Sequence, residues 1–153
     1  MIARAILLAA LAGPLFGPAA FGQVTFDRLL NAAREPQNWM TFGGTYQSTH
    51  YTLLNQITPE NAKDLELKWV FQARSLDPYE TTPLVVDGVM YTLQGNDVVA
   101  LDATSGRLFW MYRHITAADA KLCCGIISRG LAILGDTLYL ASVDAQNGVG
   151  KVA

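Results

Sequence analysis

Residues 100–110, in the second half of the chain, read ALDATSGRLFW and are the segment most indicative of its architecture. Asp102 and Gly106 are typical of a tight turn, because an aspartate carboxylate accepts backbone N–H groups and glycine adopts left-handed conformations. Trp110 ends the apolar run after this turn and offers a large flat surface for packing. The stretch therefore predicts two strands joined by a turn, with a tryptophan available to dock on a neighbouring unit.

Two-residue turns flanked by apolar runs recur along the chain, at Asp87-Gly88 and at Gly135-Asp136. Such dipeptides predict β-hairpins, because glycine and aspartate tolerate the backbone conformation that tight antiparallel turns require. Short strands with a turn every ~8–12 residues are typical of all-β sandwiches, barrels and propellers. We expect a capped helix after Thr25, a second helix over 58–65, and strands over 67–71, 84–86, 89–93, 98–101, 108–112, 131–134 and 138–143.

Repetition separates these all-β architectures. Trp69 and Trp110 each end an apolar stretch, and their spacing fits the period of ~40–50 residues that is typical of propeller blades. The hairpins that contain Tyr91 and Tyr139 also echo each other. One blade cannot bury both of its faces, so it needs neighbours. We expect about one complete blade, part of another and an N-terminal strand, which together form a fragment of a larger ring.

The motif A-x-D-x-x-T/S-G-x-x-x-W in residues 100–110 resembles the tryptophan-docking repeat of pyrroloquinoline quinone (PQQ) dehydrogenases. The resemblance extends from about Val24 to Asp144 and is similar throughout to soluble PQQ alcohol dehydrogenases. It implies an all-β fold, namely the N-terminal blades of an eight-bladed quinoprotein propeller. It also implies that four residues stack the blades and take no part in catalysis: Asp102, Gly106, Trp110 and Trp69.

The two cysteines of the chain, Cys123 and Cys124, are adjacent. In an oxidising compartment they can form a vicinal disulfide, although neighbouring Cα atoms lie about 3.8 Å apart, which is below the usual disulfide range. Such a bridge closes no long loop, so it needs a local purpose. The alternative is a pair of reduced core cysteines. The resemblance implies the disulfide, as a flat sulfur platform against one face of PQQ.

Two charged residues complete the predicted cofactor site. Arg129 follows Cys124 by five positions, and a guanidinium can bind a PQQ carboxylate at two points. Glu80 precedes a predicted strand and resembles the family glutamate that hydrogen-bonds the PQQ edge. Taken alone, either would be an ordinary surface residue, so both assignments depend on the resemblance and on the cysteine pair.

Residues 1–22 have the layout of a secretory signal peptide. Arg4 precedes an apolar run over 5–16, and Ala20 and Gly22 are the small residues expected before a cleavage site. The apolar run is too short and too interrupted to be a membrane anchor, and no other stretch predicts a transmembrane span. We therefore expect cleavage after residue 22, an incomplete PQQ-type propeller domain over 23–153, and a periplasmic location.

The overall composition is that of a globular protein: 153 residues, 51% hydrophobic, 16% charged, with a net charge of −2. Without a clustered basic face, nucleic acid is not an expected partner. His50 and His114 lack metal-ligand partners at a sensible spacing, so we expect no metal site.

The resemblance implies that the parent protein oxidises primary alcohols to aldehydes by hydride transfer to PQQ. The family uses a calcium or lanthanide ion and an aspartate base, both provided by downstream segments, and residues 146–153 depart from its pattern. We therefore expect no catalytic residue and no dehydrogenase activity in the chain as given. Expected partners are a small alcohol, a periplasmic cytochrome c or a quinone as electron acceptor, and a second copy in a homodimer.

Two other functions fit parts of the pattern. Non-catalytic PQQ-repeat propellers act as scaffolds in outer-membrane protein assembly, but they need no cysteine pair, Glu80 or Arg129 and usually carry a lipidated cysteine. Membrane-bound sugar dehydrogenases of the same superfamily carry several N-terminal spans, which this sequence lacks. Both comparisons favour the soluble alcohol dehydrogenase.

Overall fold

A computed structural model describes residues 24–74, 76, 78–115, 127–143 and 150–151. The helical elements in these ranges are α1 (Phe26–Leu30) and two 3-10 turns, Ala32–Arg34 and Ala62–Asp64. The strands are β1 (Leu84–Val86), β2 (Val89–Gln94), β3 (Asp97–Asp102), β4 (Leu108–Arg113), β5 (Leu131–Leu134), β6 (Thr137–Leu140), β7 (Ser142–Val143) and β8 (Gly150–Lys151). The predicted signal peptide lies outside the described residues.

Strands β1 to β4 form one antiparallel sheet in sequence order. Val86 pairs with Val89 across the first turn, where Asp87 has φ 49° and Gly88 has φ 81°. Two consecutive left-handed residues match the right-handed twist of the strands, which is why this dipeptide makes a tight hairpin. A four-stranded meander of this kind is one propeller blade, as the turn pattern predicted.

The second unit begins with the hairpin of β5 and β6, in which Leu134 pairs with Thr137. Gly135 takes the left-handed conformation at its turn, with φ 65°. The strand predicted over 138–143 is interrupted, because Ser142 and Val143 change partner and pair with β8.

Of two sequence predictions, one was too long and the other was wrong. The helix expected over 58–65 is reduced to the 3-10 turn Ala62–Asp64. The strand expected over 67–71 has no ladder within the described residues, and Leu67 and Val70 are 82% and 73% exposed. A strand requires the N–H and C=O groups of a neighbour, and an apolar run cannot provide these by itself.

The N-terminal segment is hydrogen-bonded to both units. Thr25 caps α1 by accepting a hydrogen bond from the backbone N–H of Arg28, as predicted. Val24 exchanges two backbone hydrogen bonds of 2.8 Å with Gly135. Further along, Trp39 and Val85 form an isolated antiparallel bridge. These contacts connect the chain before the blade to β1 and to the turn between β5 and β6.

An ion-pair network attaches α1 to the first hairpin turn. Arg28 binds the carboxylates of Glu35 at 2.6 Å and Asp87 at 2.7 Å. Asn38 donates to Glu35 at 2.7 Å and accepts from the backbone N–H of Asp87 at 2.9 Å. The guanidinium holds the pKa values of Glu35 and Asp87 below their ordinary range.

The apolar core consists of two clusters. One lies under the N-terminal segment and contains Val24, Leu29, Ala32, Met40 and Val86. The other lies between the first blade and the β5–β6 hairpin and contains Leu84, Leu93, Val98, Leu131 and Leu140. Tyr91 and Ile133 pack against both clusters. Because these two residues come from different units, the core is shared between the blade and its neighbour.

Candidate cofactor site and tryptophan docking

The turn between β3 and β4 is the docking platform for Trp69. The Asp102 carboxylate accepts hydrogen bonds of 2.9 Å from the backbone N–H groups of Thr104 and Ser105. These bonds lower the pKa of Asp102, because donors that point at a carboxylate stabilise its charged form. Gly106, with φ 71°, completes the turn.

Trp69 lies on this turn. Its Nε1 donates to the carbonyl oxygen of Ala103 at 3.2 Å. A Cβ atom added at Gly106 would lie 2.5 Å from Cε3 of the indole ring, so only glycine admits the ring at this distance. The indole of a segment outside the sheet is thereby fixed to the blade, which is the arrangement that the repeat motif predicts.

Trp110, on β4, faces the other side of the blade. Its side chain is 42% exposed, and its ring centroid lies 6.1 Å from that of Tyr91. Both rings line a cavity of about 450 Å³ that also contacts Ile133 and Leu138 of the next hairpin. Trp110, the other tryptophan predicted to dock, therefore lines the space between the first blade and its neighbour.

The structure brings the two charged residues of the predicted cofactor site together. Nη2 of Arg129 lies 3.3 Å from Oε2 of Glu80, and the two side chains are 78% and 39% exposed. They are separated by almost fifty positions in the sequence, and the contact forms because Thr82 and Gly130 make a parallel bridge. Backbone pairing thus places a carboxylate beside a guanidinium that remains open to solvent.

The third part of the predicted cofactor site, the cysteine pair, is known from the sequence alone. Cys123 and Cys124 lie outside the described residues, and the chain is described again from Ile127. Ser128 follows, and its carbonyl oxygen accepts a 2.8 Å hydrogen bond from the hydroxyl of Thr81. The described residues after the pair are therefore anchored beside Glu80.

Two contacts have weak sequence signals, one beside the candidate site and one in the ion-pair network of α1. Thr81 stands next to a predicted ligand, but a threonine that precedes a strand is too common to be singled out. The partner of Arg28 in the hairpin turn, Asp87, lies far away in the sequence, so only the fold reveals their contact.

Two further features, a metal-binding cluster and a membrane-spanning helix, are absent from the part of the chain that the structure describes. Its histidine and acidic residues form no group of three or more that could hold a metal ion. None of its helices is long and apolar enough to cross a membrane.

A four-stranded antiparallel blade with a tryptophan docked on its turn defines the chain as part of a tryptophan-docking β-propeller. Residues 39–146 match the family model of the PQQ-type glucose/ethanol/alcohol dehydrogenase, beta-propeller domain. The match covers more than half of the sequence. The chain therefore belongs to the PQQ-dependent dehydrogenase β-propeller family.

Individual relatives agree with this assignment. The quinohemoprotein alcohol dehydrogenase ADH-IIG of Pseudomonas putida is 37% identical over 95% of this chain and 21% of its own length. Its solved structure matches 88% of this chain and 22% of that one, with a TM-score of 0.74 and 33% identity. The 1-butanol dehydrogenase (cytochrome c) of Thauera butanivorans is 39% identical over 71% of this chain and 16% of its own length.

A europium-containing methanol dehydrogenase matches with a TM-score of 0.69 and 31% identity, over 81% of this chain and 24% of that one. The chain spans about a fifth of the length of the curated relatives that it matches. What it shares with them is part of the propeller.

Proposed function

We propose that this chain forms the first blades, and one side of the PQQ site, of a dehydrogenase that oxidises primary alcohols to aldehydes. The observation that carries the proposal is the exposed ion pair of Glu80 and Arg129, whose arginine follows Cys123 and Cys124 by a few positions in the sequence. Family membership supports the cofactor, and the names of the relatives support alcohols as substrates.

The residues present fit the cofactor. PQQ is a planar ring system with three carboxylates, and Arg129 has a largely exposed guanidinium whose remaining donors can bind one of them at two points. Glu80 orients this guanidinium and offers a carboxylate oxygen to the edge of the ring. Cys123 and Cys124, joined as a vicinal disulfide, would form a flat apolar surface beneath it. When bound, PQQ accepts the hydride that leaves the alcohol carbon.

We assign the metal and the catalytic base to other segments of the complete active site. The family uses a calcium or lanthanide ion, and the europium-containing neighbour supports a lanthanide in some members. The described residues hold no cluster that could bind such an ion. Residues 1–153 alone should therefore fail to oxidise alcohols, even when PQQ and either metal are added.

The remaining expectations concern location and partners. We propose that residues 1–22 are a cleaved signal peptide, that residues 23–153 belong to the propeller domain, and that the protein works in the periplasm. The acceptor is a periplasmic cytochrome c, which the name of the Thauera butanivorans relative supports, or a quinone. A homodimer is the proposed assembly.

The test is a titration with PQQ of the protein expressed from its complete reading frame. Binding is monitored by the quenching of tryptophan fluorescence. Glu80→Gln and Arg129→Met should each raise the Kd for PQQ about tenfold or more, because a hydrogen bond to a charged group is worth ~1.5–3 kcal/mol. The matched controls are Glu66→Gln and Lys68→Met, which break another exposed ion pair, of 2.8 Å. Parent-like Kd values for all four variants would overturn the proposed site, and a parent protein that does not bind PQQ would favour a non-catalytic propeller scaffold.

A further inference from the structure

Three consecutive residues beside the proposed site contact one short segment. Glu80 pairs with the side chain of Arg129. The backbone N–H of Thr82 donates to the carbonyl oxygen of Arg129 at 3.2 Å. Between them, the hydroxyl of Thr81 donates to the carbonyl oxygen of Ser128 at 2.8 Å. The bond from Thr81 is the shortest of the three and is partly buried.

The other two contacts are poor restraints by themselves. The ion pair is long, at 3.3 Å, and its arginine is 78% exposed, and exposed ion pairs of this kind contribute little. The backbone bond at Thr82 belongs to an isolated bridge and not to a continuous ladder. The partly buried hydroxyl of Thr81, bonded to a backbone carbonyl, is therefore the firmest of these three contacts with residues 128–130.

We propose that Thr81 is a positioning residue for the cofactor site. Its hydroxyl fixes the carbonyl of Ser128, and with it the backbone that carries Arg129, at the distance where the guanidinium reaches Glu80. The inference rests on the proposed function, since it concerns how Arg129 is presented to a PQQ carboxylate. Thr81 itself need not touch the cofactor.

The physical consequence is that Arg129 is better preorganised for binding with the Thr81 hydroxyl than without it. Without the hydroxyl, residues 128 and 129 lose the shortest of these three contacts and keep the backbone bond from Thr82 and the exposed ion pair. The guanidinium then samples more positions before binding, and this lost order must be restored when the cofactor binds. The affinity for PQQ should fall, while the strand pairing of the blade, in which Thr81 takes no part, is kept.

The experiment compares Thr81→Val, which removes the hydroxyl at nearly constant volume, with Thr81→Ser, which keeps it. Both are made in the protein from the complete reading frame, with Thr137→Val as the control, since that hydroxyl is hydrogen-bonded to the neighbouring Asp136. Thr81→Val should raise the Kd for PQQ about three- to tenfold, the effect of losing one neutral hydrogen bond. Thr81→Ser and Thr137→Val should bind as the parent does, and only Thr81→Val should show a modest fall in Tm, from the lost hydrogen bond.

A double variant separates positioning from general damage. If Thr81 acts through Arg129, then Thr81→Val should have no further effect on the Kd when Arg129→Met is already present. The same Kd increase in both backgrounds would overturn the inference, and so would a parent-like Kd for Thr81→Val alone. Should the valine variant not fold, Thr81→Ala takes its place.

The two proposals fail in different ways. If Glu80→Gln and Arg129→Met weaken PQQ binding but Thr81→Val does not, only the positioning role is lost. If none of these variants changes the Kd, the proposed cofactor site itself is wrong.

Discussion

The indole ring of Trp69 lies directly against the Cα of Gly106. An added Cβ would lie 2.5 Å from Cε3 and 2.6 Å from Cδ2 of the ring, while Nε1 donates to the carbonyl of Ala103. One face of the tryptophan thus meets bare backbone, and its edge is hydrogen-bonded to the same turn. This contact joins an extended segment, which has no ladder in the described ranges, to the first blade.

The first prediction concerns Gly106→Ala. The substitution places a methyl group against the indole and also forces alanine into a left-handed conformation, with φ 71°. The conformational effect costs about 1–2 kcal/mol, and the steric overlap adds ~1–3 kcal/mol. Urea unfolding, followed by circular dichroism, should show the sum as a lower free energy of unfolding.

Gly88→Ala is the matched control. Gly88 has φ 81°, yet nothing lies within 4 Å of its added Cβ, so only the conformational cost applies. Gly106→Ala should therefore be clearly more destabilising than Gly88→Ala. Equal effects would mean that Trp69 does not rest on the turn.

The second prediction separates the two parts of the docking contact. Trp69→Phe keeps an aromatic face but loses the N–H donor to Ala103, so it should lower the free energy of unfolding by about 1 kcal/mol. In a Trp69→Ala background the methyl group of Gly106→Ala meets no ring, and its cost should fall to that of Gly88→Ala. A double-mutant cycle measures this coupling, and purely additive effects would contradict the docking geometry.

What the sequence could predict was local. The turn at Asp87 and Gly88 and the cap at Thr25 follow from the conformational preferences of single residues, and the structure has both. The strand over 67–71 was wrong, because apolar character favours a strand while a ladder depends on a partner. Residue preference gives no information about that partner.

The candidate site, too, could be predicted from the sequence only in part. The role of Glu80 and Arg129 was predicted from the family resemblance and the cysteine pair, but their proximity depends on the bridge between Thr82 and Gly130. The hydroxyl of Thr81 became important only once its acceptor, the Ser128 carbonyl, was located. Long-range contacts of this kind leave no repeating pattern in the sequence from which they could be predicted.

The third prediction concerns the adjacent cysteines. Material recovered from the cell envelope should contain Cys123 and Cys124 as a disulfide, because exported proteins fold under oxidising conditions. Intact-mass spectrometry before and after reduction should show a gain of two hydrogens. A chain made in a reducing cytoplasm is the control and should carry free thiols. Free thiols in the exported material would remove the proposed sulfur platform.

The fourth prediction is a loss of stability at acidic pH that depends on Arg28. The pKa values of Glu35 and Asp87 lie below their ordinary values of 4.5 and 3.8 in the folded chain, chiefly because Arg28 donates hydrogen bonds to both. A depressed pKa means that the folded state binds protons less readily than the unfolded state. The stabilisation is therefore complete above the unfolded pKa values and is lost as the pH falls through the folded ones.

Arg28→Met should remove this part of the pH dependence. With the cation gone, the two carboxylates regain more ordinary pKa values, so the free energy of unfolding should decline less steeply from pH 5 downwards. The difference should be on the order of 1 kcal/mol, since all three side chains are partly exposed to screening solvent. Lys68→Met, which removes an equal charge from an exposed pair, should keep the parental slope. Parallel curves for the parent and Arg28→Met between pH 7 and pH 3 would show that the network does not couple α1 to the first hairpin.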